Sequence, residues 1–164
     1  MLLRGLALVL VAVALSACGG GSKQTTTTSG LAPGCEVAVA DKAVTGYLAA
    51  VTSGSRTQIR AHLSPQSDFA RLTVDDSDGR TFTTTSRAKA VDWLVGRHAF
   101  SEHERLLNVQ VAPGTDENHD SITGTISRSA DDFPKRGITN RLADFAGSVA
   151  CLTGTISQLQ VRSG

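Results

Sequence analysis

The stretch SRAKAVDWLVGRHAFSEHERLLNVQVA, residues 86–112, decides the fold, because its apolar period changes midway. In the first half Ala90, Val91, Leu94 and Val95 share one face at helical spacing, and Ser86 stands where an N-cap hydroxyl is needed. This predicts a helix over 87–98. From Glu104 the apolar residues alternate instead, with Leu107, Val109 and Val111 on one side, which predicts a strand to Ala112.

Outward from this switch the two halves of the domain differ. Upstream, Val37, Ala40, Val44, Tyr47, Leu48 and Val51 lie at helical spacing over 36–53, with Gly54 as the stop. A second, shorter helix over 56–63 turns Ile59 and Leu63 inward; Ser55 caps it and Ser64-Pro65 ends it. Short strands at 70–74 and 80–84 flank the turn Asp75-Asp76-Ser77-Asp78-Gly79. Downstream, a loop from Pro113 to His119 precedes a strand over 121–129 with Ile122 and Ile126 on one face. A second loop, 131–137, is broken by Pro134. The segments 138–151 and 155–162 then form a hairpin around Leu152-Thr153-Gly154. Their imperfect alternation predicts a bulge. Helices first and antiparallel strands last make an α+β domain.

The N-terminus has a different character. Arg4 is followed by an unbroken apolar run from Gly5 to Leu15. As a helix this run is roughly 16 Å long, too short for a hydrocarbon core about 30 Å thick. It has the length of a signal-peptide h-region. Leu15-Ser16-Ala17-Cys18 resembles the bacterial lipobox, in which small residues precede the cleaved bond and the Cys thiol carries a diacylglycerol. An N-acyl chain, commonly palmitate, usually follows, and several chains make a stable anchor where one is marginal. The reading is a signal peptide over 1–17, then a lipidated Cys18 and a flexible linker over 18–34, rich in Gly, Ser and Thr. The expected location is the extracytoplasmic face of the cell membrane, or the outer membrane if the source has two.

The remaining chain, 35–164, is about 130 residues, one domain in size. With 16 basic and 15 acidic residues interspersed along the whole chain, there is no basic stripe and no nucleic-acid partner is expected. Aromatics are scarce, which argues against stacking platforms. Cys35 and Cys151 lie near opposite ends of this domain in an oxidising compartment, and a disulfide between them is expected. Its loop length gives roughly 4–5 kcal/mol in the chain-entropy model, an upper estimate.

The order of elements resembles the NTF2-like superfamily, with its SnoaL-like and ketosteroid-isomerase-like branches. The residues behind the resemblance are Val44-Thr45-Gly46-Tyr47-Leu48 on the first helix, Ala90-Val91-Asp92-Trp93-Leu94 on the third, and the closing hairpin from Gly147 to Val161. The resemblance implies a cone of three N-terminal helices packed on a curved antiparallel sheet, with an internal pocket. A cystatin-like or other curled-sheet α+β domain has a similar order. By the same resemblance the pocket candidates are Tyr47, Asp68 and Trp93, with Tyr47 and Asp68 as the acid–base pair of an isomerase-like enzyme. No second acidic donor is evident on the later strands, so no catalytic residue is assigned.

Other constellations are incomplete. His62, His98, His103 and His119 show no ligand spacing, and zinc needs three or four convergent ligands; no metal or cofactor is expected. Val74 to Thr85 echoes a calcium loop at Asp76, Asp78 and Gly79 but lacks the carboxylate at both ends, so a solvated turn is expected. The expected function is a membrane-anchored binding or interaction domain, non-catalytic, for a small apolar ligand or an envelope protein. The alternatives are a pocket enzyme and an envelope protein acting by surface contacts alone.

Overall fold

The structure is a computed structural model and describes Cys35 and residues 37–116 and 118–163. The expected signal peptide over 1–17, the expected lipid attachment at Cys18 and the expected linker over 18–34 lie outside the described residues. The elements run α1 (Val37–Ser53), α2 (Arg56–His62), β1 (Arg71–Asp75), β2 (Thr81–Thr84), α3 (Arg87–His98), β3 (His103–Asp116), β4 (His119–Ser129), β5 (Leu142–Ala150) and β6 (Thr155–Ser163). A 3-10 turn, Pro134–Arg136, interrupts the loop before β5. Local chemistry sets the helix ends. Gly54 takes a positive φ of 65° that a side chain would resist, and its N–H donates to the Val51 carbonyl at 3.0 Å. Ser55 and Ser86 accept N–H groups of Gln58 and Lys89 as N-caps of α2 and α3.

The six strands form one curved sheet in the order β2-β1-β6-β5-β4-β3. All pairs are antiparallel except β1 with β6. The α+β class, with three helices on a curved sheet, is as the sequence predicts. Register assigns the two faces. One row across the sheet runs Val111, Ile122, Gly147, Leu159, Leu72, and the next Val109, Gly124, Phe145, Val161, Val74. These rows meet α1, which buries Val44, Tyr47, Leu48 and Val51 against them. Fully burying one such aliphatic side chain stabilises the fold by roughly 1.5–3 kcal/mol. The opposite face carries Thr123, Ala146, Gln160 and Thr73 in one row and Ser121, Ser148 and Gln158 in another.

The predicted bulge in the last hairpin falls between Ser148 and Val149, where Ser157 of β6 is the extra residue. It lets Ile156, Leu159 and Val161 all point inward although their spacing breaks the period of two. A second bulge was not expected. Register shifts between Leu106 and Asn108 in β3, so Leu106 packs on the core while Leu107 is 43% exposed. The expected inward trio of Leu107, Val109 and Val111 therefore loses its first member. The expected loop at Pro113-Gly114 is part of β3, which continues to Asp116.

Cys35 and Cys151 are disulfide-bonded, with Cα atoms 4.9 Å apart across a sequence separation of 116. The bond ties Cys35, two residues ahead of α1, to Cys151, the residue after β5. Beside it the buried carboxylate of Asp120 accepts the Cys35 N–H and the Gly114 N–H, the latter at 3.2 Å.

Candidate functional site

The inside of the cone lies between α1 and the inner rows of the sheet. Val44, Tyr47, Leu48, Glu104, Ile126, Phe145, Ile156, Leu159 and Val161 enclose a cavity of about 10 Å³. That is at most the room for one water molecule; ligand pockets measure roughly 300–1,000 Å³. One pairing contributes to the filling. Gly124 lies opposite Phe145 across β4 and β5, and a Cβ on Gly124 would stand 2.7 Å from the Phe145 ring. Glycine there lets the ring lie across the strand and occupy the centre of the cone.

The polar content of the cone collects at one end of the sheet, where β1, β6 and β4 finish and β3 and β5 begin. Arg128, 2% exposed, donates through Nη2 to Glu102 at 2.6 Å and through Nη1 to Asp76 at 2.7 Å, and its Nε lies 3.2 Å from Glu104. Arg97 pairs with Glu102 and makes a two-pronged contact with Asp132 at 2.9 Å for each bond. Arg136 reaches Asp76 at 2.7 Å and Asp78 at 2.8 Å. Phe133 covers Arg97 and Arg128, with guanidinium carbons 5.9 and 5.4 Å from the ring centroid. Five carboxylates, on Asp76, Asp78, Glu102, Glu104 and Asp132, thus face three arginines.

This imbalance falls on Glu104. Burial pushes its carboxyl up to about 7; Arg128 opposes the rise and the charge of Glu102 adds to it. Burial also raises the Tyr47 hydroxyl well above the ordinary phenol range, with Glu104 and Glu102 adding to the effect. Asp78 behaves oppositely: the hydrogen bond from Arg136 lowers it to about 2.

The three pocket candidates do not meet. Tyr47 faces the cone interior beside Glu104. Asp68 lies exposed in the turn after α2, where its N–H donates to the Pro65 carbonyl at 2.9 Å. Trp93 stacks on Phe82, with centroids 4.5 Å apart and planes 8° from parallel. The acidic group beside Tyr47 is Glu104 on β3, a strand expected to hold none; the bulge after Leu106 places Glu104 on the inner side. The turn at Asp76 and Asp78 is not solvated as expected, because Arg128 and Arg136 cover both carboxylates. Among the histidines, His98 Nδ1 lies 3.0 Å from the Thr52 carbonyl and His119 Nδ1 2.9 Å from Asp116. Among the described residues the convergent ligand set is Cys35, Asp120 and Cys151, and its two sulfurs are bonded to each other.

A larger space lies on the other face of the sheet. A cleft of about 510 Å³ runs over Ser121, Thr123, Ser148, Ser157, Gln158 and Gln160, rimmed by Asp68, Asp116, His119 and Asp120. Among the described residues neither lysine nor arginine lines it. Its hydroxyls, amides and carboxylates suit a polar, positively charged partner.

The fold is that of the NTF2-like proteins. A proposed dehydratase of the NTF2-like family from Streptomyces avermitilis superposes with a TM-score of 0.57 at 11% identity, covering 78% of this chain and 95% of that one. A proposed scytalone dehydratase from Novosphingobium aromaticivorans DSM 12444 also gives 0.57 at 11% identity, over 77% and 83%. An NTF2-like protein of unknown function from Shewanella oneidensis MR-1 gives 0.53 at 7% identity, over 77% and 98%. No protein-family model and no curated protein matches the sequence.

Proposed function

We propose that this chain is a lipid-anchored extracytoplasmic protein, held at the membrane through Cys18, whose NTF2-like domain is a non-catalytic interaction domain for an envelope protein. One contrast carries the reading: about 10 Å³ inside the cone against about 510 Å³ in the polar cleft on the outer sheet face. A small apolar ligand has no room inside. The same contrast weighs against a dehydratase- or isomerase-like enzyme. Tyr47 and Glu104 are an acid–base pair in type, but Arg128 holds the carboxylate and no substrate fits between them. The acidic rim of the cleft favours a basic segment of the partner.

Two measurements test this. Mass spectrometry of the mature N-terminus should find acyl chains on Cys18, and Cys18→Ala should release the protein from membranes; an unmodified soluble mature chain overturns the anchor. For the cleft, a photo-crosslinking residue in place of Gln158 should trap an envelope protein in cells, and Asp68→Asn with Asp116→Asn should abolish the adduct. An adduct that survives both substitutions, or none at all, removes the cleft from the account.

A further inference from the structure

Three arginines stand apart from the ionic network. Arg56 and Arg60 lie on α2 and Arg87 is the first residue of α3. With Gln66, Ala88 and Val91 they line a cleft of about 330 Å³ between the two helices, and no carboxylate lines it. Arg87 is held in place from behind. Its Nη2 donates to the carbonyls of Arg60 and Leu63, the latter at 2.9 Å, and its backbone N–H donates to Gln66 Oε1 at 2.8 Å. Its Nε is buried with no hydrogen-bond partner. Arg60 makes no ion pair among the described residues. Arg56 pairs with Asp92, both side chains being more than half exposed.

Like charges brought together at a cleft with no counter-charge are costly. Burial and the charge of Arg60 both depress Arg87. The cleft therefore has positive charge, fixed donors and room, and it lacks an acceptor. We propose that it is a binding site for a phosphate group, with Arg87 and Arg60 donating to its oxygens and Arg56 closing the open side. Guanidinium forks match phosphate oxygens in spacing and charge. Two sources have this chemistry: free inorganic phosphate or a phosphomonoester, and the headgroup of an anionic phospholipid. The site lies on the helices, so it is independent of the sheet-face cleft and of the interaction reading above.

The test uses the full chain. Inorganic phosphate is titrated against the protein at constant ionic strength, with chloride as the control anion. Separately, binding to phosphatidylcholine vesicles is compared with binding to vesicles that also contain phosphatidylglycerol. Arg60→Gln is the main variant, because the Arg60 side chain is exposed and makes no ion pair among the described residues; Arg87→Gln also loses two carbonyl contacts and is secondary. Saturable phosphate binding that Arg60→Gln weakens at least tenfold supports the site with a free phosphate ligand. A preference for phosphatidylglycerol that Arg60→Gln abolishes, without binding of free phosphate, supports it with a headgroup ligand. Neither effect, or either one unchanged in Arg60→Gln, overturns it. Asp68→Asn should alter neither readout, so failure here is distinct from failure of the sheet-face cleft.

Discussion

Arg97, Arg128 and Arg136 differ from Arg56, Arg60 and Arg87 in the charge that surrounds them. The first three close one end of the sheet, are nearly buried, and each meets two or more carboxylates. The second three border a cleft between helices, and among the described residues their only carboxylate partner is Asp92, at the solvent-exposed edge. A guanidinium enclosed by acids is part of the fold. One that borders open space without a carboxylate against it is free to serve something outside the fold. The difference separates charge consumed inside the fold from charge left available for recognition, even where, as at Arg87, the same side chain also ties down two carbonyls.

The largest expected effect is Arg128→Met. It leaves Glu102, Glu104 and Asp76 buried without their shared cation, and breaking a buried pair from one side costs about 3–5 kcal/mol. Urea unfolding should show this, and a loss under 1 kcal/mol would mean that the network does not stabilise the fold. The next effect is in pH. The native carboxyl of Glu104 is raised to about 7 from an ordinary 4.5, so the folded chain holds a proton that the unfolded chain releases between those values. Its contribution is complete below about pH 4.5 and is lost as pH rises through 7, a change on the order of 1–3 kcal/mol. Asp78 acts in the opposite sense: its contribution is present above an ordinary 3.8 and is lost as pH falls through about 2. Unfolding midpoints should therefore be highest in mild acid and fall towards neutrality. Glu104→Gln should remove the fall, and an unchanged slope would place the titration on another group. The smallest effect is Arg60→Gln, which should change stability by less than about 0.5 kcal/mol. A larger loss would place Arg60 with the structural arginines.

The sequence reveals those parts of the fold that are governed by neighbours along the chain. The α2 and α3 starts follow from Ser55 and Ser86, the α1 stop from Gly54, and the last bulge from the broken alternation between Ser148 and Val161. The ionic network is not legible, because its members come from residues 76–78, 97–104 and 128–136, and no local pattern joins them. Glu104 is hidden for a different reason. One extra residue near Leu107 reverses the parity of β3, and Leu106-Leu107 offers two apolar side chains that fit either register. The filled cone is equally non-local, since its side chains come from α1, β3, β4, β5 and β6, with Phe145 lying over Gly124 of the neighbouring strand. Of the three pocket candidates, Tyr47 alone reaches the cone, because it rides on the helix whose period is clear.

The disulfide at the start of α1 has a mechanical consequence. Cys35 precedes the helix and is bonded to the residue after β5, an interior strand in the order β2-β1-β6-β5-β4-β3. Tension on the chain ahead of Cys35 therefore bypasses α1 and loads the middle of the sheet, through strand ladders on both sides of β5. The helix cannot be peeled from its N-terminal end, and the domain should bear force as a sheet does.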